Sequence, residues 1–188
     1  RRLPEATEGL TMATTWTDRL AESGVELPSV VPPVASYTPA VRTGDLVYTS
    51  GQLPMVDGEL VARGKVCDGA EGIVDPEQAR AAARICALNA LAAVDALVGI
   101  DSVVRVVKVV GFVASAAGFS GQPQVVNGAS DVLGEIFGEA GVHARSAVGV
   151  AEPESPLPPQ AVRANAAIAP DMERVNARRE TPREEFAV

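Results

Sequence analysis

The sequence predicts an α+β domain in which two helices lie on one face of a mixed sheet. Three features point there. Two segments rich in β-branched and aromatic residues flank a turn at Gly44-Asp45, which reads as a hairpin. A long alanine-rich stretch follows Asp75 with apolar residues at helical spacing, and Val103 to Ala114 is a valine-dense run with little alternation, the pattern of a strand covered on both faces.

In chain order, residues 1–11 are polar and unpatterned and are expected to be a disordered extension. Residues 12–33 form a lead-in. Within it Trp16 to Ser23 predicts a short helix, with Trp16 and Leu20 four apart on one face and Gly24 ending it, and Pro28, Pro32 and Pro33 then impose an extended approach. The strands Val41 to Thr43 and Asp45 to Thr49 make the hairpin. Residues 55–75 alternate glycine with charge and predict an irregular connection holding one short strand near Val61. Asp75 is placed to cap free amides, Pro76 suits a first helical turn, and Glu77 lies near the positive end of the helix dipole. The helix is expected to run to about Val98 and to pack through Ala83, Ala87, Leu91, Val94 and Val98.

The strand from Val103 to Ala114 is expected to lie centrally. A second helix from Gly121 to Ala140 carries Val125, Val132, Leu133, Ile136 and Phe137 until Gly138 and Gly141 break it. The next strand, Ala144 to Ala151, has Arg145 at its start. Residues 161–169 predict a weak alanine-rich edge strand, and 170–188 an atypical tail, either a helical fragment or disorder. Residues 34–169 are the expected domain.

With 188 residues and 47% hydrophobic composition, the chain is long enough for one compact domain with a real core. Its net charge of −8 and pI near 4.7 argue against a protein that reads nucleic-acid backbone, because phosphate affinity comes from clustered Lys and Arg. Cys67 and Cys86 are the only cysteines and belong to no ligand cluster. Both are expected to be reduced, Cys86 packed in a helix and Cys67 in a glycine-rich loop. No run of eighteen apolar residues and no secretory leader is apparent, so a cytoplasmic protein with no membrane partner is expected.

The chemistry is narrowed by two stretches, Val47-Tyr48-Thr49-Ser50-Gly51-Gln52-Leu53-Pro54 and Gly141-Val142-His143-Ala144-Arg145-Ser146-Ala147-Val148-Gly149-Val150. An arginine where a strand begins, just after a glycine turn, is a planar two-pronged cation suited to a small carboxylate. The bland alternative is a surface ion pair. Together with Ser36-Tyr37-Thr38-Pro39-Ala40-Val41, Gly44, the run Val106 to Phe112, and Asn127 ahead of Phe137, these stretches resemble the RidA (YjgF-type) imine deaminases, once grouped as L-PSP endoribonucleases. The resemblance covers roughly residues 34–150.

The resemblance implies a chorismate-mutase-like fold assembled as a homotrimer. It also implies hydrolysis of small 2-imino or enamine acids to 2-oxo acids and ammonia, with no metal or organic cofactor. Arg145 is then the catalytic clamp on the substrate carboxylate, with Tyr37, Ser50, Gly51 and Asn127 around the ligand at a subunit interface. Read singly, those four are a loop tyrosine, a turn serine-glycine pair and a helix-surface asparagine.

The family's water-positioning glutamate falls on Gln160 when counted without a gap, or on Ala164 when Leu157-Pro158 is aligned, and neither is an acid. Glutamine can orient a water but cannot take its proton. Glu152 and Glu154, in a proline-rich stretch, are read as solvated loop charges. His143 stands where the family usually has proline; it is read as structural, with a general-base role beside Arg145 as the alternative. Lys108 is expected to emerge at a strand end, span the interface or pair with an acid. Ala147 replaces a cysteine common in the family, which removes a candidate reactive thiol. The alternative function is a noncatalytic protein that binds small carboxylate metabolites at the same interface.

Overall fold

The computed structural model describes residues 15–30, 35–67 and 74–151 in full and the backbone of 162–170. The expectations for residues 1–11 and for the tail after Pro170 lie outside the described residues.

Helix α1 (Trp16–Glu22) starts at Thr15, whose hydroxyl accepts from the Asp18 amide while the Asp18 carboxylate accepts from the Thr15 amide. This reciprocal cap uses two amides that would otherwise lack partners, and it holds the Asp18 carboxyl below its ordinary value, first through the Thr15 backbone and then through its hydroxyl. Trp16 then reaches inward. Its indole donates to the carbonyl of Val103 at 2.7 Å, and its ring meets Phe137 edge-on at 5.0 Å.

Strands β1 (Ala40–Thr43) and β2 (Leu46–Thr49) pair antiparallel about Gly44, whose φ of 55° suits a residue without Cβ. Residues 55–75 differ from the expectation. A second small hairpin, β3 (Met55–Val56) and β4 (Glu59–Leu60), turns at Asp57-Gly58, both with positive φ, so the single strand near Val61 is in fact a pair ending just before it. Asn89, buried in the next helix, holds this hairpin by donating to the carbonyls of Leu53 and Met55.

Helix α2 (Pro76–Val98) begins at Asp75, whose carboxylate accepts from the Glu77 amide. Burial extends well beyond one stripe, with all six residues from Asn89 to Val94 buried, because the sheet, the neighbouring helix and the β3–β4 hairpin each cover a side of it. By length and composition alone α2 could cross a membrane, but it is a packed core helix here. Helix α3 (Gln122–Phe137) ends at Gly138, and its expected apolar residues Val125, Val132, Leu133, Ile136 and Phe137 are all buried.

Strands β5 (Val103–Ala114), β6 (Ala144–Val150) and β7 (Val162–Pro170) complete a five-stranded sheet in the order β1-β2-β7-β5-β6. The expectation of an edge strand at 161–169 is corrected: β7 lies in the middle, antiparallel to both β2 and β5. Alanine is a poor strand former by propensity, but pairing on both sides overrides that preference. β6 is the edge instead, parallel to β5.

Helices α2 and α3 cover the same face of the sheet, α2 over β1, β2 and β7 and α3 over β5 and β6. Among the described residues nothing covers the other face. β5 is therefore covered on one face only, not two: Val106, Val109 and Val113 are buried, while Phe112 is 38% exposed. Phe112 pairs in register with Val148, and Val41 with Tyr48, so these half-exposed residues form an apolar layer on the open side.

The two helices touch most closely at Gly128, where an added Cβ would collide with the carbonyl oxygen of Arg80. Gly→Ala inside an exposed helix stabilises by about 1 kcal/mol; Gly128→Ala is expected to have the opposite sign, a loss of about 1–3 kcal/mol from overpacking. Urea denaturation at fixed pH measures it, and an unchanged midpoint would show that α2 and α3 separate at no cost.

Candidate functional site

Arg145 is the second residue of β6, in register with Val109 on β5. Val109 is buried beneath the helices, so Arg145 also projects to the helix side of the sheet. There it meets α3. Its Nη1 donates to Asn127 Oδ1 at 2.7 Å and to Ser130 Oγ at 3.1 Å. Asn127 and Ser130 are three residues apart and therefore share a helix face.

This arrangement has a simple valence consequence. Nη1 carries two hydrogens, and both are committed to neutral acceptors. Among the described residues the Nε and Nη2 hydrogens have no partner, and no carboxylate pairs with the group. The guanidinium is half-buried. It is thus held by one corner, with its other edge left as two parallel donors, the geometry a carboxylate accepts in bidentate fashion. Among the described residues no carboxylate makes Arg145 one half of a surface ion pair.

His143 joins the same cluster. Its Nδ1 faces the carbonyl of Gly141, which can only accept, so Nδ1 carries the proton. Its Nε2 lies 3.1 Å from Ser130 Oγ. In the neutral ring Nε2 is then an acceptor, so Ser130 donates its hydroxyl hydrogen to His143 while accepting from Arg145; this tautomer follows from the hydrogen-bond network. Ser130 was not singled out from the sequence. Its only signal there was the three-residue spacing from Asn127.

Tyr37, Ser50 and Gly51 lie elsewhere. Ser50 directly follows β2, where its hydroxyl donates to the Thr38 carbonyl at 2.6 Å and its amide to the Pro39 carbonyl at 2.8 Å. Tyr37 is 46% exposed, and Gly51 is exposed. Between β2 and β6 stand β7 and β5, so three strand spacings, about 14 Å, separate β2, which Ser50 and Gly51 follow, from the strand of Arg145, and β1, which Tyr37 precedes, lies one strand further. Within one chain the expected site residues fall into two groups separated across the strand order of the sheet.

Other candidates resolve individually. Gln160, Glu152 and Glu154 lie outside the described residues, and Ala164 pairs in register with Gly111 at the sheet centre. Lys108 does not emerge at a strand end and meets no acid among the described residues: it sits mid-strand and donates to Ser146 Oγ at 2.9 Å. Cys86 is fully buried in α2 as expected, and Cys67 is half-buried. Ala147 packs against the core. Among the described residues no three His, Cys, Asp or Glu side chains converge as a metal site would require.

The chain and its fold have clear relatives. Residues 17–160 match the YjgF/chorismate-mutase-like endoribonuclease family. Protein TCP17 of Trypanosoma cruzi is 40% identical over 141 residues, 71% of this chain and 82% of that protein. The crystal structure of Atu1372 from Agrobacterium tumefaciens, itself of unknown function, is 38% identical with a TM-score of 0.70, covering 84% of this chain and 93% of that one. The YjgF gene product of E. coli is 26% identical with a TM-score of 0.53, covering 75% and 93%. With two helices on one face of a mixed sheet and the match spanning most of its length, the chain belongs to the YjgF/chorismate-mutase-like family.

Proposed function

We propose that this protein hydrolyses small 2-imino acids to 2-oxo acids and ammonia, with Arg145 clamping the substrate carboxylate. The observation that carries the reading is a guanidinium with one corner fixed by Asn127 and Ser130 and, among the described residues, no partner on its Nε–Nη2 edge. Fixing one corner removes much of the rotational freedom that a free arginine would lose on binding, so the clamp is pre-organised. The reaction needs water to add to the imine carbon and ammonia to leave, and it calls for neither a metal nor an organic cofactor.

The second half of the site comes from another copy of the chain. Ser50 and Gly51 follow β2, about 14 Å across the sheet from the strand of Arg145, Tyr37 precedes the still more distant β1, and the sheet face with Val41, Tyr48, Phe112 and Val148, uncovered among the described residues, is an apolar surface for self-association. A homotrimer uses one such contact three times and closes on itself. In it Tyr37 covers the ligand, Gly51 lets backbone approach closely, and Ser50, whose hydroxyl is held by Thr38, shapes the turn; Gln160 is a water-orienting group. We place this activity in the cytoplasm.

One observation favours a second reading, a noncatalytic binder of small carboxylates: among the described residues no acid stands beside Arg145 to take a proton from water. An RNA-cleaving role is disfavoured by the net charge of −8, which repels a polyanion. A coupled assay separates the first two. An amino-acid oxidase or dehydratase generates the imine in the presence of semicarbazide, and the protein should divert the imine before it is trapped. Unaltered trapping, combined with a raised melting temperature in 2-oxo acids, would establish the binder instead.

A further inference from the structure

The segment that carries Arg145 into β6 is tied to α3 at two points. Gly141 is buried, and a Cβ there would collide with the Leu133 carbonyl oxygen, so its backbone lies directly on the helix. Its own carbonyl faces His143 Nδ1, and His143 Nε2 reaches back to α3 at Ser130 Oγ, 3.1 Å away. Between them Arg105 on β5 donates to the Val142 carbonyl at 3.0 Å. The imidazole is thus held from both sides, and Ser130 also accepts from Arg145 Nη1, at 3.1 Å.

Resting on the reading of Arg145 as the carboxylate clamp, we infer that His143 is a positioning residue for that clamp and acts through Ser130. Ser130 stands in the interior of α3. A serine there can turn its hydroxyl hydrogen back to a carbonyl of the preceding helical turn, a rotamer that takes no account of Arg145. His143 supplies a competing acceptor outside the helix. With its Nδ1 hydrogen directed at the Gly141 carbonyl, Nε2 keeps a lone pair facing the hydroxyl. Donation to it fixes the serine hydrogen and leaves the lone pairs of Oγ for other donors, one of which is Nη1.

The guanidinium gains a fixed plane from this. Asn127 Oδ1 takes the other Nη1 hydrogen at 2.7 Å. One acceptor would let the group pivot about a single bond, whereas two on the same nitrogen define the plane in which all five hydrogens lie. The Nε–Nη2 edge then has a set direction before a ligand arrives, which lowers the entropy lost on binding.

Two variants divide the functions of the ring. His143→Asn sets an amide near the place of Nδ1, where it can donate to Gly141 but falls short of Ser130. His143→Gln carries its amide to about the reach of Nε2, where its oxygen can accept from Ser130. In calorimetric titrations with pyruvate as the probe, His143→Asn and Ser130→Ala should each bind about 3–10-fold more weakly, the loss for one side chain that must now be ordered on binding. His143→Gln should stay within about twofold of the parent, and Ser130→Ala/His143→Asn should be no weaker than Ser130→Ala alone, because without the hydroxyl the ring has nothing to direct.

Arg145 can also be followed without any ligand. In nitrogen-15 NMR, with its signals identified by their loss in Arg145→Ala, exchange between Nη1 and Nη2 should be slow in the parent and in His143→Gln, and faster in Ser130→Ala and His143→Asn. Additive losses in the double variant, or rescue by Asn and not by Gln, would make His143 a support of the turn alone and overturn the proposal. So would an exchange rate in Ser130→Ala equal to the parent's. A parent that binds pyruvate but leaves imines untouched defeats the deaminase reading and not this one; a parent that does not bind pyruvate defeats the clamp, and the proposal with it.

Discussion

Arg145→Ala is expected to lower kcat/KM for a 2-imino acid by about 10²–10⁴-fold. The free edge of the guanidinium offers two charged hydrogen bonds, each about 1.5–3 kcal/mol, and about 1.4 kcal/mol corresponds to a factor of ten. Arg145→Lys should recover little. An ammonium is a point charge that cannot hold Asn127 and Ser130 on one side and both carboxylate oxygens on the other. The fold should survive either change, since the side chain is half-buried and its partners are neutral groups near the surface. Steady-state kinetics, with circular dichroism confirming the fold, measures this; activity within threefold of the parent would remove Arg145 from the site.

The largest effect on stability is expected at Phe137. It is 1% exposed, closes α3, and meets the Trp16 ring edge-on, so it joins the main core to α1. Phe137→Ala should cost about 3–5 kcal/mol, equivalent to a fall in melting temperature of roughly 6–20 °C for a chain of this size. Part of the loss is the docking of α1, whose Trp16 indole donor to Val103 then stands in a looser setting. Calorimetry reads the shift, and Trp16 fluorescence should report α1 loosening in the same transition. A melting temperature within 2 °C of the parent would mean that the cluster is not cohesive.

Much of the fold was legible because local chemistry announces it. Asp75-Pro76 is a helix start by capping and by proline geometry, and Gly44 marks its turn by a backbone angle that a Cβ disfavours. The Asp57-Gly58 turn carried a comparable signal, but its two-residue strands are too short for alternation to show. β7 was misplaced to an edge because propensity describes an alanine-rich segment in isolation, whereas its central position follows from the gap between two parallel strands. The valines of β5 suggested cover on both faces; a single chain supplies only one.

The site divides similarly. Arg145 and Asn127 were identifiable from residue type and motif, and their hydrogen bond joins them in space. Ser130 and the His143 tautomer were not, because they depend on how α3 crosses β6 and on the carbonyl of Gly141, which no spacing rule encodes. The separation of Tyr37, Ser50 and Gly51 from Arg145 depends on strand order, which is set by β7 occupying the middle of the sheet.

That separation gives the most direct test of a site shared between copies. Arg145→Ala protein and Tyr37→Ala/Gly51→Val protein, each damaged in a different half, are purified separately, then unfolded and refolded together in equal amounts, and imine hydrolysis is measured. Each alone should be inactive. Random association should rebuild intact pairings at about one site in four, restoring about a quarter of parental activity. No recovery from a mixture that has reassembled, or full activity of the Tyr37→Ala/Gly51→Val protein by itself, would contradict the account.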